Sequence, residues 1–387
     1  MSEHDLYEGR EQTLVKHLIL GKYLERFAII IGFNWSSITY VDCFSGPWKS
    51  RSEELKDTSF SIALAELRKA RETHRTRSSD LRLRCFFLER NPVAHARLKQ
   101  YVNQISDVEI EPHKGKLESS VQEIVDFVRK DANTFPFIFI DPTGWTGFAM
   151  HDIGPLLKLS PGEVLINFIT GHIKRFIDSP QQQTRESFIR LFGSDDFKAR
   201  LEGLEHQDRE DAIVMEYCES VRRTGGFRFV SPAVVLHREF DRTHFHLIYG
   251  TRHEKGLEVF KDAERKAMEE MEHARAEAQQ RKRVRLTGQA ELFDGDTTHS
   301  RAYYESLRSR YLTQASQKIR EQVRRRRRMH YDDAWALALA QPLIWEIDLK
   351  NWIAQWKKEG VLNIEGLTGR QKVPKRKADH VLVWLGQ

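Results

Sequence analysis

Cysteine is scarce in this chain of 387 residues: Cys43, Cys85 and Cys218 are the only three, and none pairs as CxxC. An odd, scattered set excludes a disulfide framework and a cysteine-built metal site, and it fits a reducing, cytoplasmic setting. No apolar run approaches the ~18 residues that would span a bilayer, so no membrane association is expected. The opening MSEHDLYEGREQ lacks the basic-then-apolar pattern of a secretory leader. Nothing repeats, and the one low-complexity tract is a run of arginines. A GxGxxG fingerprint is also missing, since the turn after the first expected strand reads Phe44-Ser45-Gly46-Pro47-Trp48. The spacing from Asp42 to Glu89 is 47 residues, against about 20 in a dinucleotide-binding unit.

What is there is a succession of apolar strands ending in polar residues. ITYVDCFSGP runs into Asp42 and a small-residue turn, CFFLERN ends in Glu89, FPFIFIDPTGW in Asp141 and EVLINFITG in Asn167. Asp141 lies 52 residues after Glu89 and 26 before Asn167, and a strand-like VEIEPHKGK falls inside the longer interval. A period of roughly 25 residues accommodates one strand, one helix and two loops. The runs are nearly continuous rather than alternating, the pattern of parallel strands covered on both faces.

Helical spacing of Leu14, Leu18, Leu20, Tyr23, Leu24 and Phe27 predicts a helix before the first strand. Helices are expected at 58–74, 93–104 and 117–130, and a long polar helical stretch at 180–224. FVSPAVVLHREF and THFHLIYGTR are joined by too few residues for a parallel crossover, so they form an antiparallel hairpin. Residues 257–283 read as a charged helix leaving the domain. The chain then divides into 1–285, a linker at 286–300, and 301–387. In the last segment, helices at 301–323, over DDAWALALAQ with Asp332 or Asp333 as N-cap, and from Ile347 to Lys358 precede two strands around the loop GRQKVPKRKADH. Helices followed by a two-stranded wing are the winged form of the helix-turn-helix.

Five parallel strands ending in a hairpin match the sheet of class I S-adenosylmethionine-dependent methyltransferases. In detail the chain resembles the three-Cys-motif partner proteins, through LVKHLILGKYLERF, YVDCFSGP, FFLERN, FIFIDPTGW, LINF, HLIYGTRHEKGLEVFKDA and QPLIWEIDLKNWIAQWKKEGVL. The resemblance covers most of the chain and is weakest over 180–224 and 284–300. It implies an α/β Rossmann-like methyltransferase domain, S-adenosyl-L-methionine as cofactor, and a radical-chemistry partner protein that carries the three cysteines of the family's name.

On that reading Gly46, between Ser45 and Pro47, lets backbone approach the methionine half of the cofactor, and Asp42 places negative charge near its cationic end. Glu89, followed by Arg90, accepts from both ribose hydroxyls. Lys116 and Leu117 stand where the adenine is gripped. The family pattern leads one to expect an acidic residue near Lys116, and Glu118 is a candidate to replace it; Trp48 stands where a second glycine is common. Asp141, Pro142 and Trp145 form a partial match to the D/N-P-P-aromatic turn with which amino-group methyltransferases orient a target amine and stack on its base. The alternatives are a solvated strand-end carboxylate at Glu89, a plain turn at Gly46, and a structural DPTGW turn around a buried Trp. Cytosine-C5 chemistry is disfavoured, because no Pro-Cys dipeptide offers the nucleophile. His237, His244 and His246 cluster on the hairpin, but without a carboxylate or cysteine pattern they read as surface rather than as a metal site.

Charge is placed unevenly. Residues 301–387 hold 18 Lys and Arg against 9 Asp and Glu, a net +9, whereas the whole chain is +6. Arg324, Arg325, Arg326, Arg327 and Arg328 with Lys372, Lys375, Arg376 and Lys377 are therefore candidates for phosphate contacts, with DNA or RNA as partner. The expected function is methyl transfer from S-adenosylmethionine to an amino nitrogen of a nucleic-acid base. The alternative is a non-catalytic nucleic-acid-binding or partner-recruiting subunit that keeps the fold.

Overall fold

Strands and helices alternate through most of the first 250 residues of the computed structural model, which describes residues 6–46, 50–77, 80–287 and 300–386. Pro47 and Trp48 lie outside the described residues, as does most of the expected linker. Two compact units divide the chain, the second beginning at Ser300.

In the first unit the order is α1 (Glu11–Ile31), β1 (Ser37–Asp42), α2 (Ser59–Arg75), β2 (Arg82–Glu89), α3 (Pro92–Val102), β3 (Glu109–Lys114), α4 (Leu117–Arg129), β4 (Thr134–Ile140), α5 (Met150–Leu157) and β5 (Glu163–Phe168). Then come α6 (Thr170–Phe176), α7 (Gln182–Phe192), α8 (Phe197–Leu201), α9 (His206–Gly225), β6 (Phe229–Leu236), β7 (Thr243–Thr251) and α10 (Glu254–Thr287). The strands form one seven-stranded sheet in the order β3-β2-β1-β4-β5-β7-β6. Neighbours from β3 to β5 are parallel, and β7 runs antiparallel to both β5 and β6. This is the α/β methyltransferase-like sheet, doubly wound about β1 and closed by an antiparallel hairpin.

Register brings the working ends of the strands to one edge. Asp42 stands opposite Phe87 and Phe139, Glu89 opposite Lys114, and Ile140 opposite Ile166. β1 and β5 are buried at every position, their polar members Thr39 and Asn167 included. Thr58 caps α2 and Asn91 caps α3, each through its side-chain oxygen, so those two helices begin just after the strand-end loops.

α10 departs from expectation. It does not run out of the domain. Leu257, Phe260, Ala263, Ala267, Met271 and Ala274 form a buried stripe along it, at the three- and four-residue spacing of one helix face. Two of its ion pairs are buried as well, Lys261 with Glu264 at 2.5 Å and Arg275 with Glu272 at 2.9 Å. Charges hidden in pairs make this helix look solvated in sequence. Among the described residues, no helix is long and apolar enough to cross a membrane.

The second unit runs α11 (Ala302–Arg326), β8 (Arg328–His330), α12 (Tyr331–Leu339), α13 (Glu346–Lys358), β9 (Leu362–Glu365) and β10 (Val381–Trp384). Its sheet is antiparallel in the order β8-β10-β9. Its core gathers Ile319, Val323, Trp335, Leu349, Trp356 and Leu382. Helix α11 carries on through Arg326, and Arg328 opens a three-residue strand that sequence reading does not anticipate. His330 precedes α12 at the N-cap position, and no side chain caps it. Asp332 accepts instead from Arg376 and from the Lys377 backbone N–H, so the expected Asp cap is not formed.

Candidate functional site

A cleft of about 620 Å³ opens at the carboxyl ends of β1, β2 and β4, where the winding of the sheet reverses and open α/β sheets place their ligands. One wall carries Gly46, Glu89, Arg90, Lys116 and Leu117; another carries Asp141 and Pro142; α1 closes the end with Lys16 and His17. A second groove, about 460 Å³, lies by Glu11, Arg238 and Arg281. It lies beside the loop that follows β6, and its principal charges satisfy one another, Glu11 pairing with both arginines.

Asp42 is fully buried and does not line the cleft. Its carboxylate accepts from the Phe44 N–H at 3.0 Å and from the Ser59 hydroxyl at 2.5 Å, binding the β1 loop to the start of α2. Burial pushes its pKa up to about 6, against the pull of the Ser59 and Phe44 hydrogen bonds. Ser45 is also buried; its hydroxyl donates to the Asp42 carbonyl and its N–H to the Leu88 carbonyl, both at 2.8 Å. Glu89 is almost buried but borders the cleft, and it accepts the Asn91 N–H at 2.5 Å. Lys116 and Arg90 are exposed on the rim, Leu117 is buried in the wall, and Glu118 lies beside Lys116 on the same wall.

Asp141 is the best-held of the expected reacting residues. Asn167, at the end of β5, donates to one carboxylate oxygen at 2.7 Å, and the Lys16 ammonium pairs with the other. Pro142 is buried beside it, and the turn ends at Gly147, whose φ of +89° suits glycine. Trp145 turns away from the cleft. Its indole stacks on Phe188 at 5.6 Å and its Nε1–H donates to Ser187 at 3.1 Å, so the ring expected to stack on a base is used in packing.

Sequence reading missed Lys16 and His17. The signal was present in LVKHLILG: a polar pair inside an apolar run, falling on the buried side of a helix. The His17 Nδ1 and the Tyr7 hydroxyl share a hydrogen bond of 2.8 Å. Burial, then the charges of Lys16 and Arg10, hold its pKa well below the ordinary imidazole value. His246 is buried against the Thr170 hydroxyl and His244 is half-buried near His237. Among the described residues no group of three or more His, Cys, Asp or Glu is placed to hold a metal ion.

In the second unit Arg324, Arg325 and Arg326 end α11 on the surface. Arg327 donates to the Gly386 carbonyl at 2.6 Å, and Arg328 forms a fork with Glu365 at 2.9 and 2.5 Å. Arg376 stacks on Trp335 at 3.7 Å, whereas Lys372, Lys375 and Lys377 are exposed. Ile347, Asn351, Ala354, Gln355 and Lys358 form an exposed stripe on α13, while Trp352 and Trp356 are buried.

No family model and no curated protein matches this chain. Solved structures that resemble it include a Legionella pneumophila str. Philadelphia 1 protein described by the family model DUF519, with TM-score 0.34 and 11% identity over 61% of this chain and 84% of that one. Loganic acid methyltransferase with SAH also resembles it, with TM-score 0.31 and 10% identity over 68% and 83% of the two chains. Likeness this remote carries neither an activity nor a ligand across, and the methyltransferase-like fold stands on the strand order itself.

Proposed function

We propose that the chain is an S-adenosylmethionine-dependent methyltransferase acting on an amino nitrogen of a nucleic-acid base. The observation that carries the proposal is Asp141, held by Lys16 and Asn167 at the end of β4 on a cleft that Glu89 also borders. The lining fits the cofactor. Glu89 offers a carboxylate to a ribose diol, Phe44, Leu88 and Leu117 offer apolar surface to an adenine, and Gly46 leaves a stretch of wall without a side chain.

Bound there, S-adenosylmethionine supplies a methyl group on an electrophilic sulfonium. Asp141, paired with the Lys16 ammonium, then serves as a hydrogen-bond acceptor for the amine, and the proton that the nitrogen sheds on methylation leaves to solvent through the open cleft. An amine N–H donated to this carboxylate leaves the nitrogen lone pair directed away from Asp141, and that orientation is the contribution to rate. Pro142 stiffens the turn that carries it. The second unit has the helix–strand–helix–helix–strand–strand order of a winged helix. Its exposed Arg324–Arg326, Lys372, Lys375 and Lys377 suit a phosphate backbone, with the exposed stripe of α13 against a groove. The three scattered cysteines add a cytoplasmic setting to the proposal, and the resemblance to three-Cys-motif partners adds a radical-chemistry partner protein.

The rival reading, a recruiting subunit without catalysis, is favoured by Trp145, which would have to leave Phe188 and Ser187 to stack on a base. Transfer of label from S-adenosylmethionine to DNA or RNA by the full chain, with S-adenosylhomocysteine binding measured alongside, separates the two. Asp141→Ala is expected to abolish transfer and keep binding. A wild-type chain that binds the cofactor product but labels neither nucleic acid supports the rival.

A further inference from the structure

A row of rings leaves the turn that begins at Asp141 and runs along the sheet edge where β5 and β6 end and β7 begins. None of these rings lines the cleft. The row starts at Trp145, wedged between Phe188 and Phe176 with ring centroids 5.6 and 5.0 Å away. His172 meets the edge of the same indole at 6.3 Å. The start of α6 abuts β7, since a Cβ on Gly171 would lie 3.5 Å from the His244 carbonyl oxygen. The His244 ring meets His237 edge-on at 5.4 Å, and His237 lies 4.9 Å from Phe240 in the loop between β6 and β7. Among the described residues three phenylalanines are exposed. Two of them, Phe176 at 38% and Phe240 at 48%, stand at the two ends of this row.

Positive charge is left over beside the rings. The acids nearby are answered within the protein: Asp241 by Arg275 at 2.7 Å, Glu239 by Arg238 at 3.5 Å and Glu210 by Lys174 at 2.6 Å. The remaining cations are Arg175, exposed next to Phe176 in the chain, and Arg242 and Lys282, which lie 5.5 and 4.0 Å from the Phe240 ring centre. Burial, then the charge of Arg242, lowers the His237 pKa. Burial, then His237, presses that of His244 down to about 4, so both are uncharged rings at neutral pH. Flat faces with cations beside them suit a molecule that repeats both an aromatic face and a negative charge. A single strand of nucleic acid does so; a duplex keeps its base faces inside the stack and offers mainly phosphate.

We propose that this row is a stacking track for a single-stranded nucleic acid, with bases against Phe176, His172 and Phe240 and phosphates beside Arg175, Arg242 and Lys282. The track goes beyond the proposed function, because it engages bases where the second unit meets phosphate, and it does not require methyl transfer. It gives Trp145 a use, that of backing Phe176 and His172. A strand lying on it passes the Asp141 turn with its bases unpaired, the state in which an enzyme can act on a base.

Fluorescence anisotropy of the full chain at ~50 mM salt, where phosphate contacts are still strong, tests the track with three probes. They are a single strand of about 12 nucleotides, within the site sizes of stacking grooves, the same strand made abasic, and a duplex of equal length. The wild-type chain is expected to bind the intact strand at least about tenfold more tightly than the abasic one, the scale of one or two stacked bases. Phe176→Ala with Phe240→Ala is expected to remove most of that ratio and to leave duplex affinity within about twofold; Trp at both positions is expected to keep it. Thermal unfolding checks that each variant is folded. Arg175→Gln with Arg242→Gln, which removes no ring, is expected to flatten the single-strand salt slope by about 1.4, or 0.7 for each lost phosphate contact. Equal affinity of the wild-type chain for the intact and abasic strands overturns the track. So does an unaltered ratio in the folded Ala variant, or an unaltered slope in the Gln variant. Binding of neither strand by the wild-type chain also overturns it, and leaves the exposed rings to a protein partner.

Discussion

Asp42 makes stability depend on pH in a direction opposite to most carboxylates. It is fully buried between the β1 loop and α2, and burial raises its pKa from 3.8 to about 6. A folded pKa above the unfolded one means that the folded chain holds the proton more tightly. Stability from this group is therefore complete below about pH 4 and is lost as pH rises through about 6. A shift of roughly two units corresponds to about 3 kcal/mol between those limits. Asp42→Asn is nearly isosteric and carries no charge at any pH. Its amide oxygen can still accept the Phe44 N–H, and its NH₂ group can donate to the Ser59 hydroxyl in place of the present bond. Urea unfolding of both proteins from pH 4.5 to 8, taken as a difference, cancels every other titrating group. The variant is expected to gain on wild type as pH rises, by about 2–3 kcal/mol at pH 8 relative to the acid limit. A difference that stays flat across that range refutes the reasoning and means that Ser59 and Phe44 fully offset the burial.

Glu89→Ala is expected to weaken S-adenosylhomocysteine binding by roughly 1.5–3 kcal/mol, the scale of hydrogen bonds to a charged group; unchanged affinity in calorimetry would put the ribose elsewhere. Replacing Arg324, Arg325 and Arg326 together by Gln is expected to reduce affinity for all duplex sequences about equally and to flatten the salt slope, each lost phosphate contact being worth about 0.9 on duplex DNA. Binding measured from about 50 to 200 mM salt checks this, and an unaltered slope would assign the basic surface to an acidic protein. Arg328→Gln is expected to matter less to that slope, because Glu365 already holds Arg328.

The parallel strands and the hairpin were legible because burial on both faces writes itself as a largely apolar run, clearest in β4 and in the Val164–Ile166 part of β5. Strand-end residues were legible for the same reason: once the strand is placed, its last polar residue lies at the sheet's carboxyl edge. The direction of a side chain within a turn was not. Trp145 follows Asp141 by four residues, yet it turns toward Phe176 and Phe188 because α6 and α7 supply an aromatic bed there. No local pattern encodes helices that arrive from thirty or more residues further on. Buried ion pairs were illegible too, since Lys261 and Glu264 look like any solvated i,i+3 pair until α10 is seen packed.

Two clusters of buried polar groups, one at each end of β5, are satisfied to different degrees. At the amino end of β5, Glu163 accepts from the Tyr23 hydroxyl and from Thr251 at 2.8 Å, and Tyr23 meets Tyr249 at 2.6 Å. Space is equally filled: a Cβ on Gly256 would fall 2.5 Å from a Glu163 oxygen. Burial raises the Glu163 pKa, but its hydroxyl donors answer it within the protein. At the carboxyl edge the accounting is different. Asn167 donates to Asp141 while its own carbonyl oxygen is buried without a partner, and the Arg10 Nε is in the same condition. Unmet buried groups destabilise a folded chain by ~1–3 kcal/mol each, so an ordered water at either position would stabilise the fold. The Glu163 cluster closes on itself, whereas Asp141 takes its partners from α1 and β5 with polar atoms nearby left unmet.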